Sequence, residues 1–223
     1  MVLNRLFGQP QAQFLSRNSP THPAIPTAPC RNTKHHSQNL KTEPFPLRRL
    51  RHHEIPRQDP VQFSDPRHPI TVFAHDIRSL HNVGSMFRTS DAAWIGKLVL
   101  SGFTATPENP QLHRTALGAQ DTVPWTYVKD PADLLIELRA AGTTIAALEL
   151  TDTPTYIADI TPQQFPLALI LGNELKGVPD HLLALCDYAL EIPQYGTKQS
   201  FNVSVAYGIA IMNLVESFRA GSA

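Results

Sequence analysis

The fold is decided by the stretch PLALILGNELKGVPD, residues 166–180. Its first six residues are apolar at every position, which is typical of a strand covered on both faces. Such strands belong to parallel sheets, so PLALIL is predicted to be a central strand. A loop with two glycines follows the strand at once, and Pro179 is placed to open a helix.

Short apolar runs alternate with helical patterns on both sides of this stretch. The predicted strands lie near residues 70–75, 97–101, 124–128, 144–148, 166–171 and 188–192. The predicted helices lie near residues 83–93, 110–117, 131–141, 179–186 and 202–219. This alternation predicts an α/β domain over residues 69–223, built as a mostly parallel sheet with helices on both faces.

The last predicted helix, residues 202–219, has almost no polar face. A helix that is apolar all round is expected to be buried all round. The sheet is able to cover one face, so we expect a second copy of the chain to cover the other. The sequence therefore predicts a homodimer.

Residues 1–68 differ from the rest of the chain in composition. They are rich in proline and hold ten Lys and Arg against four Asp and Glu, whereas residues 69–223 hold nine against fifteen. This composition predicts a basic, disordered N-terminal arm on an acidic domain. The basic charge of the arm would favour binding to an RNA backbone. Its first residues also resemble an organelle transit peptide, and a start codon assigned too far upstream would give a similar sequence.

Several classes of protein are disfavoured by what the chain lacks. No apolar run approaches the roughly 18 residues that a membrane helix needs. Cys30 and Cys186 form no C-x-x-C pair, and neither H-E-x-x-H nor G-x-S-x-G occurs. We therefore expect no membrane span and no metal site, and we expect a cytoplasmic protein unless the arm is a transit peptide.

Three polar stretches stand where strands are predicted to end, which is the edge at which open α/β sheets bind ligands. In the first, HNVGSMFRTSDAAWIG (81–96), Asn82 is predicted to cap a helix whose first turns hold Gly84 and Arg88. The N–H groups of such turns favour an anion, so Arg88 is either a phosphate-binding residue or a surface arginine.

The second stretch is LILGNELKGVPD (169–180) and the third is EIPQYGTKQSFNVSVAYGIAIMN (191–213). Gly172 and Gly177 either allow the backbone to approach a cofactor or simply form turns. The G-x-G-x-x-G pattern of dinucleotide folds is missing. Ser200 and Asn202 stand at the start of the last helix, where both are natural caps.

In their order and separation the three stretches resemble the motifs of the SpoU or TrmH family of RNA ribose methyltransferases, within the SPOUT superfamily. The motif N-x-G-x-x-x-R corresponds to Asn82, Gly84 and Arg88, and G-N-E-x-x-G to Gly172, Asn173, Glu174 and Gly177. The third corresponds to Ile192–Gln194 and Ser200–Ser204, with Phe201 where the family has leucine. The resemblance covers about residues 70–220.

This resemblance implies a C-terminal deep trefoil knot, S-adenosylmethionine as the methyl donor, and a ribose 2′-hydroxyl of tRNA or rRNA as the acceptor. It also implies an active site that is completed across a dimer. The implied cofactor contacts are Leu148, Gly172, Gly177, Ile192 and Phe201. The implied catalytic residues are Arg88, Glu174, Ser200 and Asn202, with Asn82 supporting Arg88.

Two questions of mechanism stay open at this point. Arg88 either activates the hydroxyl or clamps the neighbouring phosphate, because a guanidinium with a pKa above about 12 is a poor base. The acidic domain must attract RNA through the arm or through basic residues gathered at the dimer cleft, such as Arg114, Lys176 and Lys198.

Two other functions compete with this interpretation. A knotted RNA-binding or assembly protein that has lost catalysis would keep the same fold, although the joint presence of Arg88, Glu174, Ser200 and Asn202 argues against it. A nicotinamide-dependent oxidoreductase would use a similar alternation of strands and helices, but its phosphate-binding fingerprint is missing.

Overall fold

The computed structural model describes residues 47–55, 65–198 and 200–221. These residues fall into two units, which divide between Ile55 and Pro56. The predicted disorder of the arm therefore concerns residues that lie mostly outside the described ones. In the first unit His52–Glu54 forms a single 3₁₀ turn, and Arg48 pairs with Glu54 at 2.8 Å.

The second unit is built on a seven-stranded sheet in which every pair of neighbouring strands is parallel. The strands are β1 His68–His75, β2 Ile95–Ser101, β3 Trp125–Val128, β4 Thr144–Leu148, β5 Thr155–Tyr156, β6 Leu167–Leu171 and β7 Tyr188–Glu191. Their spatial order is β3-β2-β1-β6-β4-β7-β5. The predicted central position of PLALIL is confirmed, because β6 is the fourth of the seven strands.

The helices of this unit are α1 Leu80–Ala92, α2 Pro110–Ala116, α3 Ala119–Thr122, α4 Ala132–Ala140, α5 Asp180–Leu183 and α6 Val203–Ala220. All six predicted strands and all five predicted helices are confirmed, with shifted ends. α1 begins three residues earlier than predicted because Ser79, and not Asn82, is its N-cap. α5 is a single turn, shorter than predicted. The short elements α3 and β5 were not predicted.

Helices cover both faces of the sheet, as predicted. Along β6, Leu167, Leu169 and Leu171 join a core cluster with residues of α1, α2 and α6. The alternate residues Ala168 and Ile170 join a second cluster with residues of α4 and α5. All five side chains of β6 are buried, which explains its continuous apolar sequence.

The second unit is anchored just before β1 by Arg67. Its guanidinium lies 3.7 Å from the centre of the Trp94 ring and donates to the backbone oxygens of Ile95 and Thr122. Burial lowers the pKa of Arg67, against the opposing charge of Asp91. The chain therefore enters the sheet at the edge opposite to the carboxyl ends of the strands.

In the single chain α6 is buried on one face only, as predicted for a helix whose other face is left for a second copy. Tyr207, Ala210, Ile211, Leu214 and Val215 face the core, and the hydroxyl of Tyr207 bonds Ser90 at 2.7 Å. On the other side Val205 and Met212 are 51% and 44% exposed. Within the parts of the chain that the structure describes, no helix is long and apolar enough to cross a membrane.

Candidate functional site

A cavity of about 360 Å³ lies at the carboxyl ends of the central strands. Its size falls in the usual range of small-ligand pockets, roughly 300–1,000 Å³. Residues 148–150 after β4, residues 171–177 after β6 and residues 190–206 between β7 and α6 contribute its lining. The parallel sheet brings these three segments together, because all its strands end at one edge.

The loop after β6 is closed by a pair of backbone hydrogen bonds between Asn173 and Gly177, at 2.9 and 3.0 Å. A Cβ atom on Gly172 would overlap the backbone of Gly177 and Val178. Gly177 has φ +69°, and a Cβ there would overlap the carboxylate of Glu149. Both glycines are therefore required by the path of the backbone itself.

Two side chains hold this loop in place. The amide of Asn173 donates to the backbone oxygen of Asp76 at 2.8 Å and accepts from the N–H groups of Leu175 and Lys176. The carboxylate of Glu149 accepts from the N–H of Val178 at 2.9 Å. Glu149 was not among the residues predicted from the sequence. The one feature that could have identified it was its position directly after Leu148 at the end of a strand.

Glu174 lies at the N-terminus of α1. Its carboxylate accepts hydrogen bonds from the backbone N–H groups of Arg78 and Ser79, at 2.9 and 3.2 Å, and from the side-chain amide of Asn82 at 2.8 Å. Burial raises its pKa, but these donors outweigh burial and the pKa lies below its usual value. Glu174 is therefore ionised at neutral pH and is unsuited to act as a proton donor.

Asn82 joins the three polar stretches. It lies in the first turn of α1, and its side-chain oxygen accepts from the amide of Asn202 at 3.1 Å. Its side-chain nitrogen donates to Glu174, as described above. The prediction that Asn82 caps the helix is wrong, because Glu174 and Asn202 occupy its side chain and Ser79 accepts from its N–H.

The third stretch contributes the floor and one wall of the cavity. Asn202 caps α6, as predicted, by accepting from the N–H groups of Ser204 and Val205. Ser200, Phe201 and Ile192 line the cavity. All five predicted cofactor contacts therefore lie on this one cavity, namely Leu148, Gly172, Gly177, Ile192 and Phe201.

Arg88 is the predicted site residue that the single chain does not bring to the cavity. Its side chain is exposed, forms no hydrogen bond or ion pair with the described residues, and is not among the described lining residues. Six helical residues separate it from Asn82, so the two side chains leave α1 on different faces. Asn82 was predicted to support Arg88, but its side chain forms hydrogen bonds with Glu174 and Asn202 instead.

The cavity is acidic. Glu149, Glu174 and Glu191 line it, and the described lining residues include no Lys or Arg. The lining therefore favours a ligand with net positive charge. Among the described residues, no three His, Cys, Asp or Glu side chains are grouped so as to hold a metal ion.

Comparison with known proteins places this geometry in a family. The model of the SpoU rRNA Methylase family matches residues 69–212. A tRNA (guanosine(18)-2′-O)-methyltransferase of Aquifex aeolicus is 30% identical over 145 residues, 64% of this chain and 66% of that protein. A 23S rRNA (guanosine(2553)-2′-O)-methyltransferase of Bacillus subtilis is 36% identical over 133 residues, 60% of this chain and 52% of that protein. The chain thus spans between about half and two thirds of these relatives.

Solved structures agree in fold. The TrmH/SpoU tRNA modifying enzyme of A. aeolicus superimposes with a TM-score of 0.63 at 28% identity, covering 70% of this chain and 78% of that one. The AdoMet-bound rRNA methyltransferase of Sinorhizobium meliloti superimposes with a TM-score of 0.60 at 28% identity, covering 65% and 54%.

Proposed function

This chain belongs to the SpoU rRNA Methylase family, and on that premise we propose that it transfers a methyl group from S-adenosylmethionine to a ribose 2′-hydroxyl of a structured tRNA or rRNA. The observation that carries the proposal is the contact of all three polar stretches at one cavity through Asn82, Glu174 and Asn202. Glu174 and Asn202 lie 92 and 120 positions from Asn82 in the chain, so no local folding requirement brings them together.

The residues of the cavity fit S-adenosylmethionine. The sulfonium gives this cofactor a net positive charge at neutral pH, which the lining of Glu149, Glu174 and Glu191 complements. Gly172 lines the cavity with backbone atoms alone, and Leu148 and Ile192 offer apolar surface for the adenosine. When bound, the cofactor would supply an electrophilic methyl group.

The chain's own residues have to orient the ribose and remove one proton. Methyl transfer to the 2′-oxygen would leave S-adenosylhomocysteine, and the hydroxyl proton would pass to solvent. Ser200 and Asn202 line the cavity, and their proposed role is to orient the ribose. Holding the oxygen in line with the methyl group supplies much of the lowering of the barrier.

We assign Arg88 to the phosphate next to the target ribose, where its charge would stabilise the developing alkoxide. Proton removal by the guanidinium itself is the alternative, but a guanidinium keeps its proton in proteins and is a poor base. Glu174 keeps its charge through three N–H donors, so its role is to hold α1 and Asn82 against the cavity.

The working form is proposed to be a homodimer. Val205 and Met212 form an exposed apolar stripe on α6, the same helix whose first residues line the cavity. A second copy that covers this stripe would also be able to bring its own Arg88 to the site. The family's trefoil knot at the C-terminus is part of the same proposal, supported by the insertion of β6 between β1 and β4.

The experiment that tests the function is incubation of the purified chain with radiolabelled S-adenosylmethionine and bulk tRNA or rRNA, followed by digestion to nucleosides. We expect label in 2′-O-methylnucleosides. Binding of cofactor and RNA without transfer would instead indicate a knotted binding protein, and binding of a nicotinamide cofactor an oxidoreductase. Cytoplasmic RNA is the expected substrate pool.

We propose that residues 1–68 form a basic arm that helps to attract RNA. Deletion of residues 1–60 removes nine Lys and Arg, so RNA should bind more weakly and with a flatter dependence on salt, by roughly 0.7–0.9 in slope for each phosphate that the arm no longer neutralises. Binding of bulk tRNA measured over a range of salt concentrations checks this prediction. Cofactor affinity serves as the control, and unchanged RNA affinity would favour a targeting segment or plain disorder over an RNA-binding arm.

A further inference from the structure

Two large apolar side chains stand exposed on the loops that form the cavity. Leu175 is 77% exposed in the loop after β6, between Gly172 and Gly177. Tyr195 is 97% exposed between Gln194 and Ser200, which both line the cavity. Large apolar side chains on a folded surface mark a binding site when they cluster at a functional edge. The backbone at Leu175 is held in place, because the side chain of Asn173 accepts from its N–H at 2.9 Å.

Each of these apolar residues has a lysine close by on the same loop. Lys176 follows Leu175, and Lys198 lies three residues after Tyr195. Both lysines are exposed, and neither forms an ion pair with the described residues. The charges are therefore separated, with carboxylates inside the cavity and cations on the loops around it.

This separation suits the nucleotide that carries the target ribose. Phosphates are repelled by the acidic cavity and attracted by lysines at its mouth. A base joined to a ribose at the cavity has to lie within a few ångströms of the mouth, where a tyrosine ring and a leucine side chain are available. Aromatic side chains are the usual platforms for unpaired RNA bases.

We propose that Leu175 and Tyr195 grip the base of an unpaired nucleotide while Lys176 and Lys198 bind its flanking phosphates. The inference rests on the proposed function and adds the class of substrate to it: a single-stranded segment or an extruded nucleotide of RNA, not an intact duplex. A base within a duplex is stacked and paired, so Leu175 and Tyr195 are able to grip it only after the nucleotide leaves the helix.

The test measures RNA binding of the full chain by fluorescence anisotropy, with a short single-stranded RNA and the duplex of the same sequence as probes. The wild-type chain should prefer the single strand. Tyr195→Ala should weaken single-strand binding about 5- to 160-fold, the usual effect of losing one stacking residue. Tyr127→Ala, an exposed tyrosine on β3 at the far edge of the sheet, is the matched control and should bind normally.

Replacing Lys176 and Lys198 together by Ala should lower the salt slope of single-strand binding by about 1.4. Normal binding by Tyr195→Ala, equal binding of both probes by the wild type, or dissociation of a dimer by Tyr195→Ala in sedimentation would each overturn the proposal. Titration with S-adenosylmethionine tests the proposed function separately. A wild-type chain that binds no cofactor contradicts that function, whereas the preference for single strands is read from RNA affinity alone.

Discussion

Gly172→Ala is expected to lower the affinity for S-adenosylmethionine by about 100-fold or more, because the added Cβ would overlap backbone atoms of Gly177 and Val178. Backbone atoms cannot rotate out of the way as the end of a flexible side chain can. The loop that follows β6 must therefore move away from that strand. A displacement that costs about 3 kcal/mol corresponds to roughly this loss of affinity. Calorimetric titration of the purified variant with the cofactor measures it.

The control for this substitution is Gly208→Ala within α6, where an added Cβ meets nothing within 4 Å. Alanine is the better helix former, so this variant should be at least as stable as the wild type and should bind cofactor normally. Thermal unfolding of Gly172→Ala separates a local effect from a global one. Wild-type affinity in a folded Gly172→Ala would contradict the assignment of the loop to the cofactor.

Most of the fold was predictable from the sequence, because a strand that is buried on both faces is apolar at every position. Every residue of β6 is buried and apolar, and the apolar runs of β1, β2 and β4 resemble it. The elements that escaped prediction are short. β5 has two residues and pairs only with β7, and α3 is a single turn, so neither shows a hydrophobic period.

The candidate site was predictable as a set of residues but not as a set of contacts. The polar types and glycines at strand ends marked the cavity, and the five cofactor positions line it. The partner of Asn82 was not predictable, because an asparagine before a helical pattern looks like a cap whether or not a distant carboxylate binds it. Here Glu174 supplies that carboxylate from 92 residues away.

Arg88→Ala should reduce methyl transfer by about 100- to 1,000-fold while leaving cofactor affinity unchanged, since losing one group that stabilises the charge of the transition state typically costs about 10²- to 10³-fold. Arg88 does not line the cavity, so cofactor binding has no reason to depend on it. Single-turnover transfer with saturating cofactor and RNA measures the effect. Arg219→Ala, an exposed arginine at the end of α6, is the control and should retain activity, and normal transfer by Arg88→Ala would refute its role.

The same variant decides whether the arginine acts across two subunits. In a heterodimer of Arg88→Ala with Gly172→Ala, one cavity keeps its glycine loop and receives Arg88 from the other subunit, whereas the second cavity lacks both. Two inactive chains should therefore combine to give about half of the wild-type activity, since a two-fold dimer holds two equivalent sites. Co-expression with two different affinity tags isolates the heterodimer for assay. If Arg88 served its own chain, neither cavity would be complete and the heterodimer would be as inactive as its parents, which would contradict a site shared between subunits.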